Sequence, residues 1–443
     1  MGATHETSGN GRYRAHRSAL IHCLDDPSDV GVSASHEYFE DGLLLIDAAG
    51  HVVSVGNAGD MLPTLPPDTE LITHTHSLIC PGFIDTHIHY PQTGMIASYG
   101  EQLLEWLTNY TFPAEQDFED IEHAREVADV FLTELLRNGT TTALVFGTVH
   151  PESVDAFFEA ANALQLRMIA GKVLMDRNAP PSLNDTPESG YADSKALIER
   201  WHGVDRLHYA LTPRFAVTSS EEQLALTGKL LREYPDLYLH THLSENMQEV
   251  AWVKELFPER SHYLDVYDHY GLVGERAVFA HGVHLCDAEC RRLAESGAAV
   301  AFCPSSNLFL GSGLFDLKKM EAYKVRVGLG TDVGAGTSFS LLEVISDAYK
   351  SQQLLKRSLN PFKSLYLATL GGAKALYLDD SIGNFAAGKE ADFLVLDYQA
   401  TPLMGYRMAR AKSIEERLFV LMTLGDDRVV RQTFALGEPV FTR

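Results

Sequence analysis

The 443-residue sequence is poor in cysteine and in basic residues, and it has no long apolar run. Its five cysteines (Cys23, Cys80, Cys286, Cys290, Cys303) are odd in number and include no Cys-x-x-Cys pair. That excludes a disulfide framework and points to a reducing, cytoplasmic compartment. Cys286 and Cys290 stand four apart on what reads as one helix face, and they are expected as small apolar filler rather than metal ligands. Lys and Arg total 36 against 60 Asp and Glu, a net charge of -24. A field of that sign repels phosphate, and no local basic run overrides it, so neither nucleic acid nor an anionic membrane surface is expected as a partner. No apolar stretch reaches the ~18 residues of a membrane span, and the start of the chain lacks the apolar core of a secretion signal. Internal repeats and low-complexity tracts are absent too. What is present is an ordinary globular composition, 45% hydrophobic and 22% charged, with 19 His.

The length suits one large barrel plus an accessory unit. Residues 1–16 are polar and read as a flexible terminal segment. Residues 17–80 carry short alternating or apolar stretches punctuated by Gly and Pro, which is β texture. After Pro81, short apolar strands alternate with longer amphipathic segments, the pattern of βα units around a parallel sheet. Eight strands are expected: Leu78–Ile84, Thr141–Phe146, Met168–Val173, Leu207–Leu211, Leu237–Leu243, Ala277–Ala280, Ala299–Phe302 and Val325–Leu329. Strand texture returns after about Ser381. The expected class is α/β: a distorted (β/α)8 barrel over residues 81–380, flanked by a small β-sandwich domain built from both chain ends, 17–80 and 381–443.

In such a barrel, chemistry gathers where strands end at the C-terminal face. The first strand runs into His87-Ile88-His89, two imidazoles two residues apart and therefore on one side of an extended chain. The fifth ends His240-Thr241-His242-Leu243-Ser244-Glu245, the sixth Ala280-His281-Gly282, and the eighth Gly330-Thr331-Asp332. Scattered surface histidines have no reason to recur at four strand mouths. Neutral imidazoles and one carboxylate can hold a divalent metal such as zinc, which keeps a position open for water and lowers its pKa. Glu245 is placed to move a proton from that water to a substrate, and a further His can polarise a developing oxyanion. Both His240 and His242 face inward, and spacing does not choose between them.

Pro81-Gly82-Phe83-Ile84-Asp85-Thr86-His87-Ile88-His89-Tyr90-Pro91-Gln92 resembles the first metal motif of the amidohydrolase superfamily. Further stretches extend the likeness over about residues 40 to 440, in the guanine-deaminase branch of that superfamily. They are Tyr99-Gly100-Glu101-Gln102-Leu103-Leu104-Glu105-Trp106-Leu107, Thr212-Pro213-Arg214-Phe215, Phe302-Cys303-Pro304-Ser305-Ser306-Asn307 and Gly330-Thr331-Asp332-Val333-Gly334. The resemblance implies one zinc per chain held by His87, His89, His242 and Asp332. It selects His242 over His240, which becomes a packed neighbour. It implies Glu245 as proton shuttle, His281 beside the reacting water and Asp332 as acceptor of the water proton. Gln92, Arg214 and Phe215 would hold the purine together with Glu245 and His281, Arg214 donating to the six-position carbonyl. The implied reaction is hydrolytic: water adds at the purine C2, ammonia leaves, and xanthine remains. Homodimers are usual in the family.

Several features read otherwise. His74-Thr75-His76 precedes the barrel and belongs to the β region, His284 falls beyond its strand end, and Lys172 is not expected as a carbamylated metal bridge. Residues 94–113, rich in Tyr99, Trp106, Tyr110 and Phe112, are expected as a loop and short helix over the site or as core packing. The nearest alternative is a related deaminase acting on cytosine, an adenosine-like nucleoside or a triazine. A non-enzymatic scaffold on the same fold would have lost ligands that this chain retains.

Overall fold

The computed structural model describes residues 12–99 and 102–443. The amino-terminal segment as far as residue 11, and Gly100-Glu101 within the stretch 99–107, lie outside the described residues. In chain order the outer strands are β1 (Arg14–Cys23), β2 (His36–Ile46), β3 (Val52–Asn57) and β4 (Glu70–Pro81). The barrel strands are β5 (Phe83–His89), β6 (Thr140–Phe146), β7 (Arg167–Gly171), β8 (Val173–Leu174), β9 (His208–Pro213), β10 (Tyr238–Leu243), β11 (Ala277–His281), β12 (Ala299–Phe302) and β13 (Arg326–Leu329). Three further strands follow, β14 (Phe393–Asp397), β15 (Val430–Ala435) and β16 (Glu438–Thr442).

The barrel is a parallel sheet in the order β13-β12-β11-β10-β9-β7-β6-β5, with β8 continuing β7 alongside β9. It closes where the Thr86 hydroxyl donates to the carbonyl of Leu329 at 2.9 Å. Every residue of β6 and of β12 is buried, as expected of strands covered on both faces. The helix Ile121–Arg137 shows how the outer layer is built. Asp120 caps it by accepting from the Glu122 amide, and Ala124, Ala128, Phe131, Leu132 and Leu135 form its buried stripe. Gly139, at φ +83°, lets the chain turn directly into β6.

The second unit is one seven-stranded mixed sheet, β16-β15-β14-β4-β1-β2-β3, so both ends of the chain share it. The segment that leads into β14 is tied to the foot of the barrel by buried charges. Glu390 accepts from Arg167 Nε at 2.9 Å and from Arg206 Nη2 at 2.7 Å, while Arg206 also meets Asp392 and the carbonyl of Gln165. Each charge in this group has an opposite partner, which is the condition for burying it.

Three boundaries differ from the sequence expectation. Arg14, Ala15 and His16 belong to β1 rather than to a flexible end, because they pair with both Leu44–Ile46 and Glu70–Ile72. The first barrel strand begins at Phe83, whereas Leu78–Pro81 closes β4 and pairs with β14. Gly82 separates the two sheets; a Cβ there would lie 2.1 Å from the Thr141 hydroxyl. The carboxyl-terminal unit also contains helices, Pro402–Met408 and Ile414–Leu424, the latter burying Leu418, Leu421 and Met422. Among the described residues no helix is long and apolar enough to cross a membrane.

Candidate active site

The carboxyl ends of β5, β10, β11 and β13 meet at one point. Strand alternation puts His87 and His89 on the inner side of β5, and β10 contributes His240 below His242 in the same way. At or just past the ends of their strands, Ser244, His281 and Asp332 adopt φ of 49°, 72° and 53°, a left-handed conformation that costs a residue with a Cβ some strain. These bends turn Glu245, His281 and Asp332 inward over the barrel mouth. The backbone around Asp332 is fixed from β5, since its amide donates to the His87 carbonyl at 2.9 Å. Asp85 braces the same junction by accepting from the Thr331 hydroxyl at 2.5 Å and from the His87 amide at 3.1 Å.

One ligand atom from each of His87, His89, His242 and Asp332 lies within 4.8 Å of all the others. Nε2 of His87 and of His89 stand 3.1 and 3.3 Å from the Asp332 carboxylate, and Nε2 of His242 stands 3.3 Å from Nε2 of His89. On two of the rings the opposite nitrogen is anchored. Nδ1 of His242 donates to the Arg214 carbonyl at 2.7 Å, and Nδ1 of His87 meets Nε2 of His240 at 2.7 Å. Among the described residues, the Nε2 atoms of His87 and His281 are buried without a hydrogen-bond partner. Unpaired buried nitrogens aimed at a common point, with their far sides held, are what a divalent cation requires of its ligands.

Electrostatics favour the same use. Burial lowers His89 to about 3 and drives His242 well below its ordinary value, so both rings stay neutral. Burial alone would raise Asp332, but His87, His89 and His281 around it hold its carboxyl well below the usual range. Glu245 behaves oppositely: burial first, then the charge of Asp332, pushes it up to about 8 against the pull of the Ser312 hydroxyl. That hydroxyl donates to Glu245 Oε1 at 3.0 Å. His281 Nε2 lies 3.5 Å from Glu245 and 3.8 Å from Asp332, and its Nδ1 donates to Asn307 Oδ1 at 3.0 Å. Neutral imidazoles and one ionised carboxylate beside an acid that exchanges protons near neutrality suit activation of water.

Beside this cluster is a cavity. Leu103, Trp106 and Leu107 give it an apolar wall, Phe215 also lines it, and Gln92 and Arg214 add polar groups to its lining. The wall comes from the segment expected to cover the site, here the short helix Leu103–Trp106, a wide turn over Leu107–Thr111 and the helix Phe112–Gln116. Trp106 is buried, whereas Tyr99 is largely exposed and plays no part in the wall. The structure thus gathers His87, His89, Gln92, Arg214, Phe215, His242, Glu245, His281 and Asp332 around one space.

The decoys lie elsewhere. His74 pairs with His16 inside the outer sheet, His284 donates to the Ser312 carbonyl, and Lys172 pairs with Asp185 at 2.5 Å. Sequence reasoning assigned no role to Glu115, Asn307, Ser312 or Glu249. Asn307 stood in a quoted motif, but nothing local marked Glu115, whose partner Arg214 is 99 residues away. Glu249 accepts from the amides of both Glu245 and Asn246 and so fixes the turn that carries Glu245.

Comparison with known proteins agrees with this geometry. The amidohydrolase family profile matches residues 78–440. Guanine deaminase of Escherichia coli (strain K12) is 54% identical over 439 residues, covering 98% of this chain and 99% of that protein. The solved structure of E. coli guanine deaminase superposes with a TM-score of 0.93 at 52% identity, over 97% of this chain and 99% of that one. Guanine deaminase from C. acetobutylicum, solved with guanine bound in its active site, has a TM-score of 0.87 at 28% identity and covers 97% of this chain and 100% of its own. With its barrel, its converging histidines and these relatives along nearly its whole length, the chain belongs to the amidohydrolase family, among the guanine deaminases.

Proposed function

We propose that the protein is a zinc enzyme that hydrolyses guanine to xanthine and ammonia, a step of purine-base breakdown. The supporting observation is the arrangement of four convergent ligand atoms beside a cavity whose lining includes an apolar wall together with Arg214 and Gln92. His87, His89, His242 and Asp332 would hold one zinc, which when bound supplies Lewis-acid activation of water. Arg214 donates to the six-position carbonyl of the base, a planar acceptor that a guanidinium fits well. Gln92 hydrogen-bonds the ring edge and Phe215 lines the pocket. This sets the amino-bearing C2 toward Glu245 and His281. Asp332 accepts one water proton as the oxygen adds at C2, and Glu245 gives its own proton to a ring nitrogen. Glu245 then takes the proton of the adduct's hydroxyl and passes it to the amine, which leaves as ammonia, and the proton on Asp332 returns to Glu245. His281, held by Asn307, steadies the charge that develops on the oxygen. In this reading the catalytic barrel runs from Phe83 to about residue 380, and residues 14–81 with 381–443 form a composite β domain. The enzyme works in the cytoplasm as a homodimer.

Incubating purified protein with guanine is expected to convert the ultraviolet spectrum to that of xanthine with stoichiometric ammonia, and metal analysis to give about one zinc per chain. Absence of turnover on guanine, with rapid turnover of cytosine or a triazine, would overturn the substrate assignment.

A further inference from the structure

Glu115 is a fully buried carboxylate that the reaction above does not use, and it is joined to the cavity lining through Arg214. Its two oxygens accept from a single nitrogen, Nη1 of Arg214, at 2.9 and 2.7 Å. The Gln92 amide nitrogen stands 3.5 Å from Glu115 Oε1, and its oxygen accepts from the Gly334 amide at 3.2 Å. The same short helix brings Phe112 beneath the guanidinium, 5.6 Å from ring centroid to Cζ. Arg214 is thus clamped at one nitrogen and supported from one side. Among the described hydrogen bonds its Nη2 and Nε are not engaged, and Arg214 lines the cavity.

We infer that Glu115 is a positioning residue of the base-recognition site, which aligns Arg214 and Gln92 and cancels the guanidinium charge so that the pocket favours a neutral oxopurine over an anionic one. This rests on the guanine reading above. Two physical consequences carry it. An Arg side chain has several rotatable bonds, and the two-oxygen clamp removes that freedom before substrate arrives, lowering the cost of binding. An unpaired buried guanidinium would also attract anions strongly in so dry a site. Xanthine is a stronger acid than guanine and loses a proton near neutral pH. A charge-balanced pocket therefore releases the product that an unbalanced one would retain.

The test is steady-state kinetics on Glu115→Gln, Arg214→Gln and the double variant, with guanine as substrate and xanthine as inhibitor from pH 6.5 to 8.5. Glu115→Gln is expected to raise KM roughly tenfold or more with a much smaller change in kcat. Its inhibition by xanthine should tighten as pH rises, while the native enzyme shows no such trend. Glu115→Asp, which restores the charge, should abolish that trend. In the Arg214→Gln background, adding Glu115→Gln should change KM far less than it does in the native background and should leave no pH trend in xanthine inhibition. Zinc content and melting temperature of each variant separate misfolding from altered recognition. Equal losses in KM and kcat tracking a lower melting temperature, or pH-independent xanthine inhibition in Glu115→Gln, would overturn the inference. Native enzyme that fails to turn over guanine would instead overturn the reading on which it rests.

Discussion

Replacing Glu245 by Gln removes the proton carrier while keeping shape, and the structure predicts opposite effects on rate and on stability. The amide oxygen of Gln can still accept from the Ser312 hydroxyl, which is 3.0 Å from Oε1 in the native protein. The fold around the site should therefore persist. Loss of a positioned acid–base group costs about 10²- to 10⁴-fold in rate, or about 3 to 5 kcal/mol of transition-state stabilisation. Stability moves the other way. Burial raises the carboxyl from 4.5 to about 8 in the folded protein, so the unfolded chain holds the ionised form more readily. The group contributes no penalty below pH 4.5, and the penalty grows as pH rises toward 8. At pH 7 it reaches about 3 kcal/mol, from 2.5 units at about 1.4 kcal/mol each. Metal-free Glu245→Gln should accordingly be as stable as metal-free native protein at pH 4.5 and more stable at pH 7. Guanine turnover, zinc content and urea midpoints at the two pH values check this together. A variant within tenfold of native activity, or one destabilised at pH 7, would refute the reasoning.

Two other perturbations follow from buried histidines. His240 accepts from Nδ1–H of His87 when Nε2 of that ring holds a cation, so His240→Leu should weaken zinc binding about 10- to 100-fold in a chelator competition, and unchanged affinity would contradict that role. His16, packed between Phe393 and Phe434 and 3.0 Å from His74, is lowered to about 3 by burial, then by His74 and Arg14. Its unfolded form takes up a proton first, so its contribution to stability is present above pH 6.5 and is lost as pH falls. Between pH 6.5 and 5 that loss is about 2 kcal/mol. His16→Gln should lose correspondingly less over that interval in parallel denaturation curves, and an identical loss would show that the ring titrates normally.

Much of the site could be read locally because strands alternate. His-x-His at the end of an apolar run puts two rings on one side of the chain, and Glu245 and Asp332 follow their strands by only a few residues. The same rule could not separate His240 from His242, since both face inward; depth along β10 decides, and depth depends on the neighbouring strand. The boundary at Gly82 was obscured for a related reason. Leu78 to Ile84 is one continuous apolar run, and only its partners, β14 on one side and β6 on the other, divide it between two sheets.

By itself the sequence determined the class of fold, the strand mouths that carry chemistry, the ligand types and the strongly negative net charge. Those follow from residue period, side-chain chemistry and composition, which are local or additive properties. Only the tertiary structure decided that Glu115 clamps Arg214, that Asn307 holds His281, that Ser312 reaches Glu245 and that His16 is buried against Phe393 and Phe434. These partners stand 26 to 99 residues apart along the chain for the three hydrogen-bonded pairs, and no local pattern encodes which distant side chain will meet which. Closing the barrel brings them together, and burial then fixes their charge.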